Sequence, residues 1–194
     1  MTGSRHVALY GGSFNPPHVC HVLVATWVLC RGDVHEMRLI PVHNHAFGKA
    51  LAPFDARCQM LRLAFSHLGP AVTVSRIEEE LGHATSYTID TVQALLEMEP
   101  DIGKLSFVCG ADVYAQRRRW KRWETLETLL DFIVIGRQGA PALSDDEGEP
   151  IIPRVTLPDM SSSALRAAIA SGKRLPGWLP TAVEAFIEKE GLYR

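Results

Sequence analysis

His6-Val7-Ala8-Leu9-Tyr10-Gly11-Gly12-Ser13-Phe14-Asn15-Pro16-Pro17-His18-Val19-Cys20-His21 joins a short apolar run to a glycine turn and then to the start of a helix. The first five residues have the length and composition of a buried strand, and two glycines in succession let the chain turn sharply at its end. Pro16 and Pro17 suit the approach to a first helical turn, where a missing N–H costs little. From His18 the apolar positions Val19, Val22, Leu23, Ala25, Val28 and Leu29 suit a largely buried helix. Met37 to Val42 follows as a second strand. Strand, crossover helix and strand in that order predict parallel pairing.

The same alternation continues along the chain. Phe54 to Leu68 has helical spacing, Ala71 to Ser75 alternates like a strand, and Thr85 or Ser86 can cap a helix through Ile89 and Met98 that Pro100 closes. Lys104 to Cys109 is a strand stopped at Gly110. Trp120 to Leu130 is irregular to helical, and Asp131 to Ile135 is a strand ended by Gly136. Gly139 to Pro150 is a polar surface loop, Ile151 to Leu157 the expected last strand, and Ser161 to Ser171 and Pro180 to Glu190 two closing helices. The fold class is therefore α/β: a Rossmann-like, mainly parallel sheet with helices on both faces and a C-terminal helical segment. Such sheets bind ligands at the carboxyl ends of their strands, so Gly11-Gly12, Gly110 and Gly136 are expected to face one crevice.

Composition bounds the rest. The 194 residues suffice for one domain, taken as 1–194, and 46% apolar with 22% charged residues is ordinary for a folded soluble chain. A net charge of −2 gives no basic excess, so an anion must be held by local geometry, and no nucleic-acid partner is expected. Cys20, Cys30, Cys58 and Cys109 lack Cys-x-x-Cys spacing, and no secretory segment opens the chain, so reduced thiols in a cytoplasmic protein are expected. The most apolar stretch, Val22 to Cys30, is far shorter than the roughly 20 residues that span a bilayer, so no membrane partner is expected.

Two clusters have the chemistry of phosphate handling. Glycines at a strand end let backbone N–H groups approach a phosphate, and the following helix adds partial positive charge at its N-terminus. His18 and His21, three apart, project from one face of that first turn. Histidines that merely cap and pack are the plain alternative; a zinc site lacks a third ligand of suitable spacing, unless His43 and His45 come close. The second cluster is Asp159-Met160-Ser161-Ser162-Ser163-Ala164-Leu165-Arg166. Its serines offer hydroxyls and free N–H groups at a helix start, with Arg166 on the side of Ser163.

The first cluster resembles the Gly-Gly-Thr/Ser-Phe-Asp/Asn-Pro-x-His-x-x-His signature of the nucleotidyltransferase superfamily. The second resembles the Ile-Ser-Ser-Thr-x-Ile-Arg element of its nicotinate mononucleotide adenylyltransferases. Ser86-Tyr87-Thr88, Gly110-Ala111-Asp112, Trp120 and the ending Gly191-Leu192-Tyr193-Arg194 match that family in order, so the likeness covers essentially the whole chain. The resemblance implies an enzyme that joins ATP to nicotinate mononucleotide, releasing pyrophosphate and forming deamido-NAD for NAD biosynthesis. It implies that ATP is bound by Gly11, Gly12, Ser13, Phe14, His18, His21, Gly110, Asp112, Ser162, Ser163 and Arg166. His18, His21 and Arg166 are the catalytic candidates, with Asp112 near the ribose. The acceptor's pyridine ring would lie on Trp120 and its carboxylate on backbone N–H groups around Tyr87 and Thr88. Magnesium (Mg2+) is expected to travel with ATP on phosphate oxygens, without a metal cage of protein side chains.

The chain departs from the family in two places. His43-Asn44-His45-Ala46-Phe47-Gly48-Lys49 stands where a Pro-Pro-His-Lys/Arg stretch is usual, with Lys49 the candidate for its charge, and Cys20 replaces the glycine before His21. Nicotinamide mononucleotide or another small phosphorylated acceptor is the alternative substrate. The basic aromatic run Arg117 to Trp123 supports a rival nucleic-acid-binding reading, set against the absence of any basic excess. A homo-oligomer is left open by the sequence.

Overall fold

A computed structural model describes residues 5–44, 50–139, 142–144, 150–173 and 176–194; His45 and Lys49 lie outside these residues. The chain runs β1 (Arg5–Gly12), α1 (Val19–Cys30), β2 (Glu36–Pro41), α2 (Phe54–Phe65), β3 (Val72–Val74), α3 (Ile77–Leu81), α4 (Thr88–Met98) and β4 (Ile102–Gly110). It continues through α5 (Ala111–Tyr114), α6 (Trp123–Leu129), β5 (Asp131–Arg137), β6 (Leu143–Ser144), β7 (Pro150–Ile151), β8 (Thr156–Leu157), α7 (Ser162–Ala170) and α8 (Thr181–Glu190).

Among the described residues, six strands form one parallel sheet in the order β3-β2-β1-β4-β5-β8. The chain leaves β1 in one direction to β2 and β3 and returns on its other side to β4 and β5. The order reverses between β1 and β4, and there the loops that follow the two strands part and leave a crevice.

Strand alternation sends successive side chains to opposite faces. Ala8 and Tyr10 of β1 join Val24, Ala25 and Val28 of α1, Met60, Leu61 and Ala64 of α2, and Val183 and Ile187 of α8. Val7 and Leu9 join Ile89, Val92 and Leu95 of α4 and Trp123 and Leu126 of α6. Burial on both faces explains why β1 is a continuous apolar run rather than an alternating one.

Several boundaries differ from the sequence expectation. The strand expected over Ile151 to Leu157 is divided: Pro150–Ile151 pairs antiparallel with Leu143–Ser144, and only Thr156–Leu157 adds to the main sheet. Pro153 cannot donate to a ladder, which is where the division falls. Neither Thr85 nor Ser86 caps α4, whose N-cap is Tyr87. Ser86 instead pairs with the loop after β2: its N–H donates to the Asn44 carbonyl at 3.0 Å and its Oγ accepts from the Asn44 N–H at 3.2 Å. The short helix α3 is an addition to the expected elements.

Candidate active site

One cavity of about 500 Å³ opens where the strands were expected to converge. Its lining includes Tyr10 to Ser13 after β1, Cys109, Gly110 and Asp112 after β4, and Ile135, Gly136 and Arg137 of β5. The three glycine-punctuated strand ends thus face a single space. Glycine is required at one of them for a plain reason: a Cβ on Gly11 would stand 2.9 Å from the Phe107 ring. That ring lies edge-on to Trp120, with centroids 5.3 Å apart, and forms part of the cavity wall.

His18 is the N-cap of α1 and His21 its third residue, so both imidazoles stand at the positive end of the helix. Their ring centroids are 3.8 Å apart. The backbone N–H of His18 donates to His21 Nδ1 at 3.0 Å. His21 Nδ1 therefore carries no proton, and Nε2 is the N–H donor of the neutral ring. Burial pushes the His18 pKa down to about 4, helped by the charge of Arg137, and burial, His18 and Arg137 together hold His21 well below the usual histidine range. Both are neutral hydrogen-bond donors at pH 7. Phe14, 2% exposed, packs edge-on against Tyr10 and His21 and sets the His21 ring rather than lining the cavity.

The second cluster meets the first directly. Ser161 caps α7 by accepting from the Ala164 N–H at 3.2 Å. Ser162 Oγ donates to the Pro16 carbonyl at 2.9 Å, and Arg166 donates to the Asn15 carbonyl at 2.8 Å and to Ser163 Oγ at 3.3 Å. Ser162, Ser163 and Arg166 thus brace the turn before His18 and stand outside the cavity lining. Asn15 is held from further sides, its Oδ1 accepting from the Ala52 N–H at 3.0 Å and from the Tyr193 hydroxyl at 2.8 Å. Arg57, 1% exposed, donates to the Ser13 carbonyl at 3.1 Å and the Ala52 carbonyl at 3.0 Å. The turn after β1 is therefore pinned by Arg57 of α2, by α7 and by Tyr193.

The lining also includes Tyr87, Thr88, Trp120 and Lys121, with Glu78 and Ser86. Glu78 accepts from the His43 N–H at 2.9 Å, and burial raises its pKa, offset by the Ser86 hydroxyl and by His43. Sequence reasoning passed over Glu78 because it opens a run of three glutamates, a pattern that ordinarily marks a solvated face. It also passed over Arg137, the residue immediately after Gly136. This guanidinium lies at 3.4 Å from Asp112 Oδ2 and 3.8 Å from Asp159 Oδ1, and its charge reaches both catalytic-candidate histidines. The available signal was a Gly-Arg pair at the carboxyl end of a buried strand.

The basic run is dispersed by the fold. Arg117 is buried beneath Tyr114, Lys121 binds Asp90, Arg122 donates to Gln93, and Trp120 and Trp123 pack with Phe132. Among the described residues, no group of three or more His, Cys, Asp or Glu side chains is placed to hold a metal ion, and no helix is long and apolar enough to cross a membrane. All four cysteines are free thiols.

A Rossmann-like sheet with a helix-start pair of histidines and a phosphate turn at its switch point defines a nucleotidyltransferase-type site. The cytidylyltransferase-like family model matches residues 9–168. Over the full length of both chains, the protein is 39% identical to a protein of Anaeromyxobacter dehalogenans named "probable nicotinate-nucleotide adenylyltransferase". A Thermus thermophilus protein of the same name is 34% identical, with 97% of this chain and 99% of that one aligned. The chain therefore belongs to the nicotinate-nucleotide adenylyltransferase family, within the cytidylyltransferase-like group. Its fold also matches the solved structure of Plasmodium falciparum nicotinic acid mononucleotide adenylyltransferase complexed with NaAD, at a TM-score of 0.80 and 20% identity, covering 97% of each chain.

Proposed function

We propose that the protein transfers AMP from ATP to nicotinate mononucleotide, forming deamido-NAD and pyrophosphate. The observation that carries this reading is that one cavity is lined both by the glycine turn with its two histidines and by Tyr87, Thr88 and Trp120. A donor nucleotide and an aromatic acceptor can then share one space with their phosphates meeting between the histidines and Arg137.

The acceptor phosphate is largely dianionic near pH 7, its second pKa being about 6, so it attacks without a protein nucleophile. Its oxygen forms a bond to the α-phosphorus of ATP while the bond from that phosphorus to the bridging oxygen breaks, and pyrophosphate leaves. His18 and His21 donate N–H hydrogen bonds to the oxygens of the transferred phosphoryl group, and Arg137 supplies a permanent positive charge beside them. Ser162 and Arg166, at the start of α7, act on the phosphates through the turn they brace, and Asp112, which lines the cavity, lies beside the adenosine ribose. Magnesium enters as part of the substrate, bound to the phosphates of ATP; the donors around the turn suit phosphate oxygens rather than a resident cation. Trp120 takes the pyridine ring, and the N–H groups at Tyr87 and Thr88 take its carboxylate.

The test is to offer the purified protein ATP, magnesium and either nicotinate or nicotinamide mononucleotide, and to quantify dinucleotide and pyrophosphate. Equimolar products with a preference for the nicotinate acceptor are expected. Equal rates would remove the carboxylate selectivity, and no product from either would remove the acceptor assignment.

A further inference from the structure

Lys121 follows Trp120 directly and reaches across to α4. Its Nζ lies 3.2 and 3.1 Å from the two carboxylate oxygens of Asp90 and 4.5 Å from the centre of the Tyr87 ring. Asp90 is also approached by His83 Nδ1 at 3.6 Å. Lys121, Tyr87, Thr88 and Trp120 all line the cavity, and the Lys121 side chain retains 45% of its exposure.

Glu78 lines the same cavity and Asp90 is bound to Lys121, so a negatively charged acceptor group beside Tyr87 meets carboxyl groups as well as cations. Arg119, which also lines the cavity, donates to Gln116. Lys121 is the cation that the Tyr87 ring holds beside the Thr88 wall. Its link to Asp90 is a half-exposed ion pair, a kind that contributes little net stability and exchanges partners readily. Contact with the aromatic face keeps the ammonium at the cavity mouth whichever carboxylate it binds.

We infer that Lys121 is a specificity-determining residue: its ammonium turns from Asp90 toward the acceptor and favours a pyridine carboxylate over the neutral carboxamide. The inference rests on the acceptor reading given above. A carboxylate gains an ion pair together with the hydrogen bond from the ammonium, whereas a neutral carboxamide oxygen gains the hydrogen bond without the pairing of opposite charges. The acceptor carboxylate also offsets the charge Lys121 would otherwise share with Asp90 alone.

The deciding measurement is kcat/KM for nicotinate and for nicotinamide mononucleotide in wild type, Lys121→Gln, Lys121→Arg and Asp90→Asn, with the KM for ATP followed in parallel. Lys121→Gln is expected to lower the nicotinate preference about tenfold, equivalent to about 1.4 kcal/mol, chiefly through KM for the nicotinate acceptor. Lys121→Arg should restore most of the preference. Asp90→Asn should keep or increase it, because the ammonium is freed. An unchanged ratio in Lys121→Gln overturns the inference. So does an Asp90→Asn variant that loses the preference as fully as Lys121→Gln, since the ion pair would then act only as a brace. A wild-type enzyme without nicotinate preference overturns the acceptor reading itself, a result visible before any variant is made.

Discussion

The backbone N–H of His18 donates to Nδ1 of His21 across 3.0 Å, so the helix start that gathers the two rings also selects the tautomer of the second. The ring nitrogen left to face substrate is a donor. In the proposed mechanism the N–H group that meets the phosphoryl oxygens is thus committed by the fold itself, without a charged buried imidazole.

Replacing His21 by Asn tests that arrangement. The Asn carbonyl can still accept from the His18 N–H, while the Nε2 donor is gone. Turnover should fall by about 10²- to 10³-fold, with a melting temperature close to wild type. His18→Ala should cost at least about 10²-fold in turnover with the circular dichroism spectrum retained. Either substitution leaving turnover unchanged would remove the histidines from the mechanism.

Acid should destabilise the empty protein through the same rings. The folded His18 pKa of about 4 lies below the usual 6.5, so between these values the unfolded chain binds more protons and stability rises with pH. The neutral ring's contribution is fully present above about 6.5 and is lost as pH falls toward 4. His18 alone accounts for on the order of 3 kcal/mol across that window. Chemical denaturation at pH 7 and pH 4.5 should show a shallower loss in His18→Asn than in wild type, and identical slopes would contradict the assignment.

Arg137 is expected to act on the chemistry and on the histidines together. Its charge lowers the pKa of both rings. Arg137→Gln should reduce kcat/KM for ATP by about 10- to 100-fold, as loss of a phosphoryl-stabilising cation does. NMR titration of the variant should show the His18 midpoint moving upward. A kinetic loss without that movement would place Arg137 away from the imidazoles.

Gly136 is a site where added volume cannot be absorbed. A Cβ there would lie 2.6 Å from Thr156 Oγ1 and 3.1 Å from the Val155 carbonyl, so Gly136→Ala must push β8 away from β5. A loss of about 1–3 kcal/mol in equilibrium unfolding is expected. Because α7 follows β8, the KM for ATP should rise as well.

Much of the architecture was legible from local pattern. The apolar run His6 to Tyr10, the glycines behind it and the helical spacing after His18 each state a local preference, and the parallel sheet follows from their alternation. Short elements were less legible: Ile77–Leu81 is too brief for periodicity to separate from a loop, and the segment from Ile151 to Leu157 has strand composition whose pairing depends on where Pro153 falls. Glu78 and Arg57 were not legible as site residues because their type and neighbours resemble those of any surface charge, and Arg137 had only the glycine before it as a signal.

The glycine turn and the paired histidines are legible in sequence, since a strand end, glycines and a helix start fall within sixteen residues of one another. Convergence is a property of the tertiary structure. Arg166 reaches the Asn15 carbonyl across 151 residues, and Tyr193 reaches the Asn15 side chain across 178. Lys121 meets Asp90 only because α4 and the segment before α6 pack on the same face of the sheet. Contacts of that range are set by which apolar faces bury each other, a quantity summed over the whole chain and written in no single motif.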